Sequence, residues 1–136
     1  MKLLMVYCNK FGYKTTRKIY KNTPDISEER YFEDILLCFV HAENQDVYDV
    51  NKLEVKLLRI IKASAKKNNT NRVILHSFDH LSENKANPKL FKDMFGYVIK
   101  RFENEGYECY STPLGYQVDL DMKAPGNIYG RIFKTL

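Results

Sequence analysis

The stretch VILHSFDHLSENKANPKL, residues 73–90, decides the fold of this chain. It opens on a run of apolar, mostly aliphatic residues, and the segment 72–78 is therefore predicted to be a buried strand. A polar loop follows, and then Asn87 and Pro88 mark the start of a helix. Asparagine is a favoured N-cap, and proline fits the first helical position.

Apolar residues beyond Pro88 recur at helical spacing and predict an amphipathic helix that ends near Gly106. They are Phe91, Met94, Phe95, Val98 and Phe102. An earlier helix is predicted to end at Asn68-Asn69, with Asp49 or Asn51 as its N-cap. Its apolar stripe consists of Val50, Leu53, Leu57, Ile60, Ile61 and Ser64.

The remaining segments are predicted mainly from apolar runs and turn residues. Residues 2–8 form a buried strand, and a turn at Phe11-Gly12 leads into a second strand over residues 13–20. Residues 21–30 form a loop, and residues 35–40 form a strand, with a helix starting near Ser27 as the alternative. Strands are predicted at 107–112 and 115–122, and a last strand or short helix at 128–136. This order predicts one compact α/β domain, residues 1–136, with a mixed β-sheet packed by two main helices.

Composition narrows the class of protein. Apolar residues make up 44% and charged residues 29% of the 136 residues, as in a globular domain. No apolar run is long enough to cross a membrane, and the N-terminal apolar run is too short for a signal peptide. The three cysteines form no CxxC pair, and no Walker or GxGxxG motif is present. We therefore expect a cytoplasmic protein with no cofactor and no metal.

Positive charge is concentrated in two segments of this chain, whose net charge is +5. Residues 14–21 hold four cations, and the predicted helix over residues 51–67 holds six cations against Glu54. A basic face favours phosphate-bearing partners. On charge alone, a solvated helix face is an equally good explanation.

His80 is the titratable group of greatest interest, because it follows a strand end in a polar loop beside Asp79. Such a histidine can act as a base or orient a polar substrate. From the residues alone, a histidine that caps a nearby backbone group is favoured by about two to one. His76 and His80 share the spacing of a metal pair, but a strand end separates them. Asp119 and Asp121 are predicted to lie on an exposed strand face.

Four segments together resemble the N-terminal editing domain of archaeal threonyl-tRNA synthetase, a relative of the D-aminoacyl-tRNA deacylases. They are MKLLMVYCNKFGYK (1–14), EDILLCFV (33–40), VILHSFDHLSENKANPKL (73–90) and ENEGYECYSTPLGYQVDL (103–120). The resemblance implies a D-aminoacyl-tRNA deacylase-like fold, usually dimeric. It also implies hydrolysis of serine that has been mistakenly attached to threonine tRNA, with the tRNA's own ribose hydroxyl assisting a water.

The resemblance also implies site residues and partners. His80 matches the pocket histidine and is the catalytic candidate. The substrate-binding candidates are Asp79, Leu81, Ser82, Leu114, Gly115, Tyr116 and Gln117, and Pro113 begins the turn that closes the pocket. The acceptor end of tRNA-Thr is the expected partner, with Lys52, Lys56, Arg59, Lys62 and Lys66 as candidate tRNA contacts. A homodimer is expected, as is a synthetase catalytic region in cis or in trans.

The chain departs from the family pattern at two sites. Gln117 and Val118 stand where the family has a Tyr-Lys pair, and Arg131 stands where it has a glutamate. Val118 has no hydrogen-bond donor, and Arg131 repels a substrate ammonium group. The departures predict altered specificity, lost activity, or tRNA contact without editing. The alternatives are a non-catalytic tRNA-binding or dimerisation module on the same fold and, third, an unrelated small α/β enzyme.

Overall fold

The computed structural model describes residues 1–136 and contains one six-stranded sheet. The strands are β1 (Lys2–Lys18), β2 (Glu29–His41), β3 (Arg72–Ser77), β4 (Glu108–Ser111), β5 (Tyr116–Lys123) and β6 (Arg131–Thr135). The helices are α1 (Val50–Lys67) and α2 (Pro88–Asn104), and a short 3₁₀ helix (Asn44–Tyr48) precedes α1. The expected single α/β domain with two main helices is confirmed.

Strand β1 has partners along both of its edges. It pairs antiparallel with β2 from Lys2↔His41 to Lys14↔Glu29. Its other edge pairs antiparallel with β6 near the start of β1 and with β5 over its second half. Strands β3 and β4 extend the sheet beyond β2 in parallel, which gives the order β4-β3-β2-β1-β5. The sheet is therefore mixed, as predicted.

The predicted turn at Phe11-Gly12 is wrong, because β1 continues through it as one strand of 17 residues. Gly12 lies opposite Tyr31 of β2. A Cβ atom at Gly12 would come within 2.5 Å of the Tyr31 ring. The glycine therefore lets a cross-strand aromatic ring pack against the backbone.

Strand β2 is longer than the apolar run that predicted it, and it begins at Glu29. Its first residues, 29–34, are charged or aromatic and largely exposed, so no buried apolar run reveals them. Residues 128–136 are predicted to form a last strand or a short helix. The strand is confirmed, since β6 spans Arg131–Thr135.

The signals at the helix ends act largely as predicted. The Asn87 side chain accepts a hydrogen bond from the Lys89 backbone N–H at 2.9 Å, with Pro88 in the first turn. Gly106 follows α2 with φ +86°, a conformation that glycine adopts without strain. Asp49 is the N-cap of α1, but its side chain makes no capping hydrogen bond. No helix in the structure has the length and apolar character needed to cross a membrane.

Apolar side chains pack on both faces of the sheet. The larger cluster, of 21 buried residues, fills the space between the sheet and the two helices. A smaller cluster of eight buried residues lies on the opposite side, which we call the open face. Phe78, Leu81 and Val118 pack against this smaller cluster. The loop after β3 and strand β5 are therefore both held by packing against the open face.

The far end of β1 returns to the loop between β4 and β5. The backbone N–H of Ile19, just after β1, donates to the Gly115 carbonyl at 2.7 Å. This hydrogen bond continues the β1–β5 pairing beyond Lys18↔Tyr116, and it sets the end of β1 beside the segment that follows β4. This contact joins residues that are far apart in sequence. The crevice beside it therefore could not be predicted from a local sequence pattern.

His76 on β3 is buried, and its Nδ1 atom lies 2.8 Å from the hydroxyl oxygen of Thr112, just after β4. Its ring packs edge-on against Phe39 at 5.5 Å between centroids. Burial lowers the pKa of His76 from 6.5 to about 4. The imidazole is therefore uncharged at neutral pH and ties the ends of two parallel strands together.

This burial predicts a loss of stability in mild acid. In the unfolded chain His76 takes up a proton near pH 6.5, whereas in the folded chain it does so only near pH 4. Between these values the unfolded state binds more protons, so the free energy of unfolding falls as the pH falls, by up to about 3 kcal/mol. Urea unfolding of the wild type between about pH 7 and pH 4.5 measures the loss.

The His76→Gln variant is expected to lose less stability over the same interval, since it has no imidazole at this position. His80→Gln serves as the matched control, because the His80 side chain is 73% exposed. If His76→Gln lost as much stability in acid as the wild type, the loss could not be attributed to protonation of His76.

Candidate functional site

The loop 78–86, which follows β3, is held by His41 at the end of β2. The buried His41 ring accepts a hydrogen bond at Nδ1 from the Leu81 backbone N–H at 3.1 Å. Its Nε2 lies 2.6 Å from the Asn84 carbonyl oxygen. A carbonyl can only accept, so the hydrogen of this imidazole is on Nε2. His41 thereby fixes the loop backbone at two points.

Glu43 provides a second support for the same loop. Its Oε2 accepts a hydrogen bond from the Ser82 hydroxyl at 2.8 Å, and its Oε1 accepts one from the Met1 ammonium at 2.9 Å. Asp46 also accepts from that ammonium, at 3.0 Å. Burial alone would raise the pKa of Glu43, but the hydrogen bonds from the ammonium and Ser82 outweigh it and hold the pKa below 4.5. Ser82 therefore anchors the loop.

Neither support was identified from the sequence. The available signal was the polar sequence His41-Ala42-Glu43 directly after a buried strand. Polar groups at strand ends often serve a site. Their partners, however, lie some 40 residues away along the chain, at sequence separations of 39 to 43.

The turn 113–116 forms the opposite side of the site and depends on Gly115. This residue has φ +83°, and a Cβ atom there would come 2.8 Å from the Thr23 hydroxyl oxygen. The Tyr116 hydroxyl accepts from the Ile26 backbone N–H at 2.7 Å and donates to the Pro24 carbonyl at 2.8 Å. Tyr116 therefore anchors the loop between β1 and β2 against the turn.

A cavity of about 130 Å³ lies between the loop after β3 and this turn. Its lining includes Asp79 and Lys85 from the loop, Leu114 and Gly115 from the turn, and Tyr20 from the end of β1. The remaining lining residues are Ile19, Ser77, Ala86, Pro88 and Phe91. The volume corresponds to about four water molecules, the scale of a small amino acid.

Asp79 is the only carboxylate in this lining, and Lys85 is the only cation. The Lys85 ammonium lies 2.8 Å from Asp79 Oδ2, and this hydrogen bond lowers the pKa of Asp79 and raises that of Lys85. His80 Nε2 lies 3.5 Å from Asp79 Oδ1. The charged Asp79 can accept hydrogen bonds from a ligand's ammonium group, with Lys85 beside it to face an anion.

The structure brings three of the predicted site residues, Asp79, Leu114 and Gly115, into this one cavity. His80 is not among the lining residues, and its exposed ring packs edge-on against Phe78 at 5.0 Å. Phe78 also lies 6.1 Å from His76, between centroids, so it contacts both imidazoles. No group of three or more His, Cys, Asp or Glu side chains is arranged to hold a metal ion.

The other predicted positions do not line the cavity. Leu81 packs against the open-face cluster, and exposed Gln117 accepts a hydrogen bond from Arg17 Nε at 3.0 Å. Val118 also packs on the open face, and Arg131 donates to the Ala124 carbonyl at 3.4 Å. Neither Val118 nor Arg131 lines the cavity. Asp119 and Asp121 are exposed on β5, as predicted.

The cations of α1 lie away from its buried face. The buried positions of the helix include Leu53, Leu57 and Ile61. Lys62 forms an ion pair with Glu105 at 3.1 Å. The other candidate contacts, which form no ion pair with a side chain of this chain, are Lys52, Lys56, Arg59 and Lys66.

The fold occurs in a solved structure, that of c-Myc DNA Unwinding Element Binding Protein. The TM-score is 0.70 at 8% sequence identity, and the match covers 100% of this chain and 99% of that one. At this level of identity the likeness shows the fold alone. It agrees with the α/β architecture expected from the sequence.

Curated relatives of the chain are threonine-tRNA ligases. Those of Thermococcus gammatolerans and Thermococcus onnurineus are 23% and 24% identical over 139 residues. The ligase of Nanoarchaeum equitans is 22% identical over the same length. Each match covers 100% of this chain and 22% of the relative, so the chain spans little more than a fifth of these ligases.

A family model described as the archaea-specific editing domain of threonyl-tRNA synthetase matches residues 1–136. The match extends over the whole chain and agrees with the relatives in sequence. The chain therefore belongs to the family of archaea-specific editing domains of threonyl-tRNA synthetase.

Proposed function

We propose that this domain binds the acceptor end of tRNA-Thr and hydrolyses the ester of mischarged seryl-tRNA(Thr). The observation that carries the proposal is the cavity between the loop after β3 and the turn 113–116, with Asp79 as its one carboxylate. Membership of the editing-domain family supports the choice of substrate. The reaction class is aminoacyl-tRNA deacylation.

The cavity suits a small aminoacyl group. Its volume of about 130 Å³ accommodates a seryl group, while the attached adenosine stays outside. The charged Asp79 is placed to bind the seryl ammonium group, and the turn at Gly115 allows the ester to approach the backbone closely. A close-fitting cavity discriminates against one extra methyl group by about 10- to 200-fold. Threonine carries that extra methyl group.

The hydrolysis proceeds without a cysteine nucleophile. Burial raises the pKa of Cys8 to about 11 and that of Cys109 to about 12, and it also raises the pKa of Cys38. A water therefore attacks the ester carbonyl, and the bond from the acyl carbon to the ribose oxygen breaks to give serine and free tRNA. The protein contributes orientation and electrostatic stabilisation, and the ribose hydroxyl of the tRNA assists the water.

A non-catalytic tRNA-binding or dimerisation module is the second candidate function. Val118 and Arg131 favour it, because the first has no donor and the second is a cation where the family has an anion. Val118 is packed among apolar side chains of the open face, so it contributes no polar group there. In that case the domain would position tRNA without removing serine.

The wider context is also part of the proposal. We expect the domain to work with a synthetase catalytic region, in cis or in trans, in the cytoplasm where tRNA is charged. The relatives are ligases of which this chain spans 22%, so ligation itself is assigned to residues outside this domain.

Replacing Asp79 tests the cavity directly. We expect the wild type to deacylate seryl-tRNA(Thr) in preference to threonyl-tRNA(Thr), and Asp79→Asn to slow serine removal by about 10- to 100-fold, as a lost charged hydrogen bond would. The control is Asp119→Asn, an exposed aspartate on β5 that lies outside the cavity lining. Equal rates for the two variants would show that the cavity does not hold the aminoacyl group.

A His80→Ala variant tests the histidine that the family resemblance places in the pocket. We expect slower serine removal, since the His80 ring lies 3.5 Å from Asp79 and orients that carboxylate. If the wild type removes no serine yet still binds tRNA-Thr, the non-catalytic function is the correct one.

We also expect a homodimer, on the basis of the family resemblance. Large apolar side chains that remain exposed could supply contact area, among them Tyr31 at 67% and Phe133 at 53% exposure. Sedimentation equilibrium should give twice the chain mass of 16.1 kDa. A single species at the chain mass across the concentration range would refute the dimer.

A further inference from the structure

A groove of about 310 Å³ runs between α1 and β6. Arg59, Ser64 and Lys67 of α1 contribute to its lining, and Lys134 of β6 contributes from the other side. The rest of the lining is apolar and includes Ile60 and Ile132. We call this the α1–β6 groove, and it is separate from the cavity beside Asp79, with which it shares no lining residue.

Three cationic side chains contribute to the lining of this groove, and no anionic side chain neutralises their charge. Arg59, Lys67 and Lys134 are exposed, and none forms an ion pair with a carboxylate of this chain. No carboxylate is among the lining residues. Lys62, on a neighbouring position of the same helix, is by contrast paired with Glu105. Three like charges beside one groove attract an anion.

Ser64 gives an independent indication of a ligand. It is only 3% exposed, and its hydroxyl oxygen is the one buried side-chain polar atom with no hydrogen-bond partner. Buried polar groups are almost always satisfied, so an orphan hydroxyl calls for a specific explanation. Because this oxygen is fully buried, Ser64 rotates about its Cα–Cβ bond to donate to an anionic oxygen in the groove, and the three cations balance the charge of that anion.

We propose that the α1–β6 groove binds a backbone phosphate of the tRNA. A phosphodiester oxygen accepts from the Ser64 hydroxyl, and Arg59, Lys67 and Lys134 surround the phosphate. The apolar part of the lining leaves room for a ribose. The identity of the RNA rests on the function proposed above, whereas the phosphate chemistry rests on the groove itself.

Salt-dependent binding tests the cationic part of the site. The probe is a fluorescently labelled minihelix of the tRNA-Thr acceptor arm, followed by anisotropy over a range of salt concentrations. Arg59→Ala with Lys134→Ala is expected to weaken binding and to reduce the slope of log affinity against log salt by up to about 1, because one phosphate is bound in the groove. The matched control removes two exposed lysines of α2, Lys92→Ala with Lys100→Ala. Equal effects of the two double variants would overturn the proposal.

Ser64→Ala tests the hydroxyl without changing the charge. We expect about tenfold weaker minihelix binding, because a hydrogen bond to a charged group is lost. The melting temperature should stay the same or rise, since an unsatisfied buried hydroxyl has been removed. Wild-type affinity in Ser64→Ala would show that the hydroxyl does not contact the phosphate.

Two further measurements separate this proposal from the editing proposal. Inorganic phosphate is added as a competitor. Displacement of the minihelix by low concentrations of free phosphate would show a small-anion site and overturn the backbone assignment. Seryl-tRNA(Thr) hydrolysis is measured on the same variants at saturating protein. If the groove variants bind the minihelix as tightly as the wild type and hydrolysis is normal, the groove proposal is refuted and the editing proposal stands. If the groove variants bind more weakly but even the wild type hydrolyses no seryl-tRNA(Thr), the groove proposal is supported and the editing proposal is refuted.

Discussion

The pairing of β1 on both of its edges is the constraint on which the rest of the structure depends. One strand of 17 residues holds β2 on one side and β6 and β5 on the other. A strand this long curls, because sheets twist with a fixed hand. The pairing of β1 with β5, which runs to Lys18↔Tyr116, sets the end of β1 beside the loop between β4 and β5, where the Ile19 N–H donates to the Gly115 carbonyl. The candidate cavity exists because these two distant segments meet.

Local signals and tertiary contacts contribute differently to what could be predicted. The helix beginning at Asn87-Pro88 and ending before Gly106 is specified by capping residues and by an apolar stripe, and both are local. The turn predicted at Gly12 is wrong because glycine occurs both in turns and at points of close packing, and only the position of Tyr31 decides between them. The roles of His41 and Glu43 in holding the loop could not be predicted, because their hydrogen-bond partners are distant in sequence. The cavity could not be predicted, since it requires the curl of the whole sheet.

The family resemblance pointed to the loop after β3 and to the turn 113–116, but it did not predict how their side chains are arranged. Asp79 lines the cavity, whereas His80 is exposed beside it and Ser82 anchors the loop to Glu43. Val118 belongs to the apolar packing of the open face. Few side chains are thus free to contact a substrate, and most polar groups of the loop hold its backbone in place. A loop fixed in this way suits catalysis by positioning, which tolerates little movement.

The buried thiols have a practical consequence for spectroscopy. Cys8, Cys38 and Cys109 are all buried, and their raised pKa values leave almost no thiolate at neutral pH. Because the thiolate is the form that reacts with maleimides, the native chain behaves as a cysteine-free background. Two cysteines placed on the surface, one on each side of the crevice, would carry dyes or spin labels at two defined positions. Distances between the two sides of the crevice then become measurable in solution.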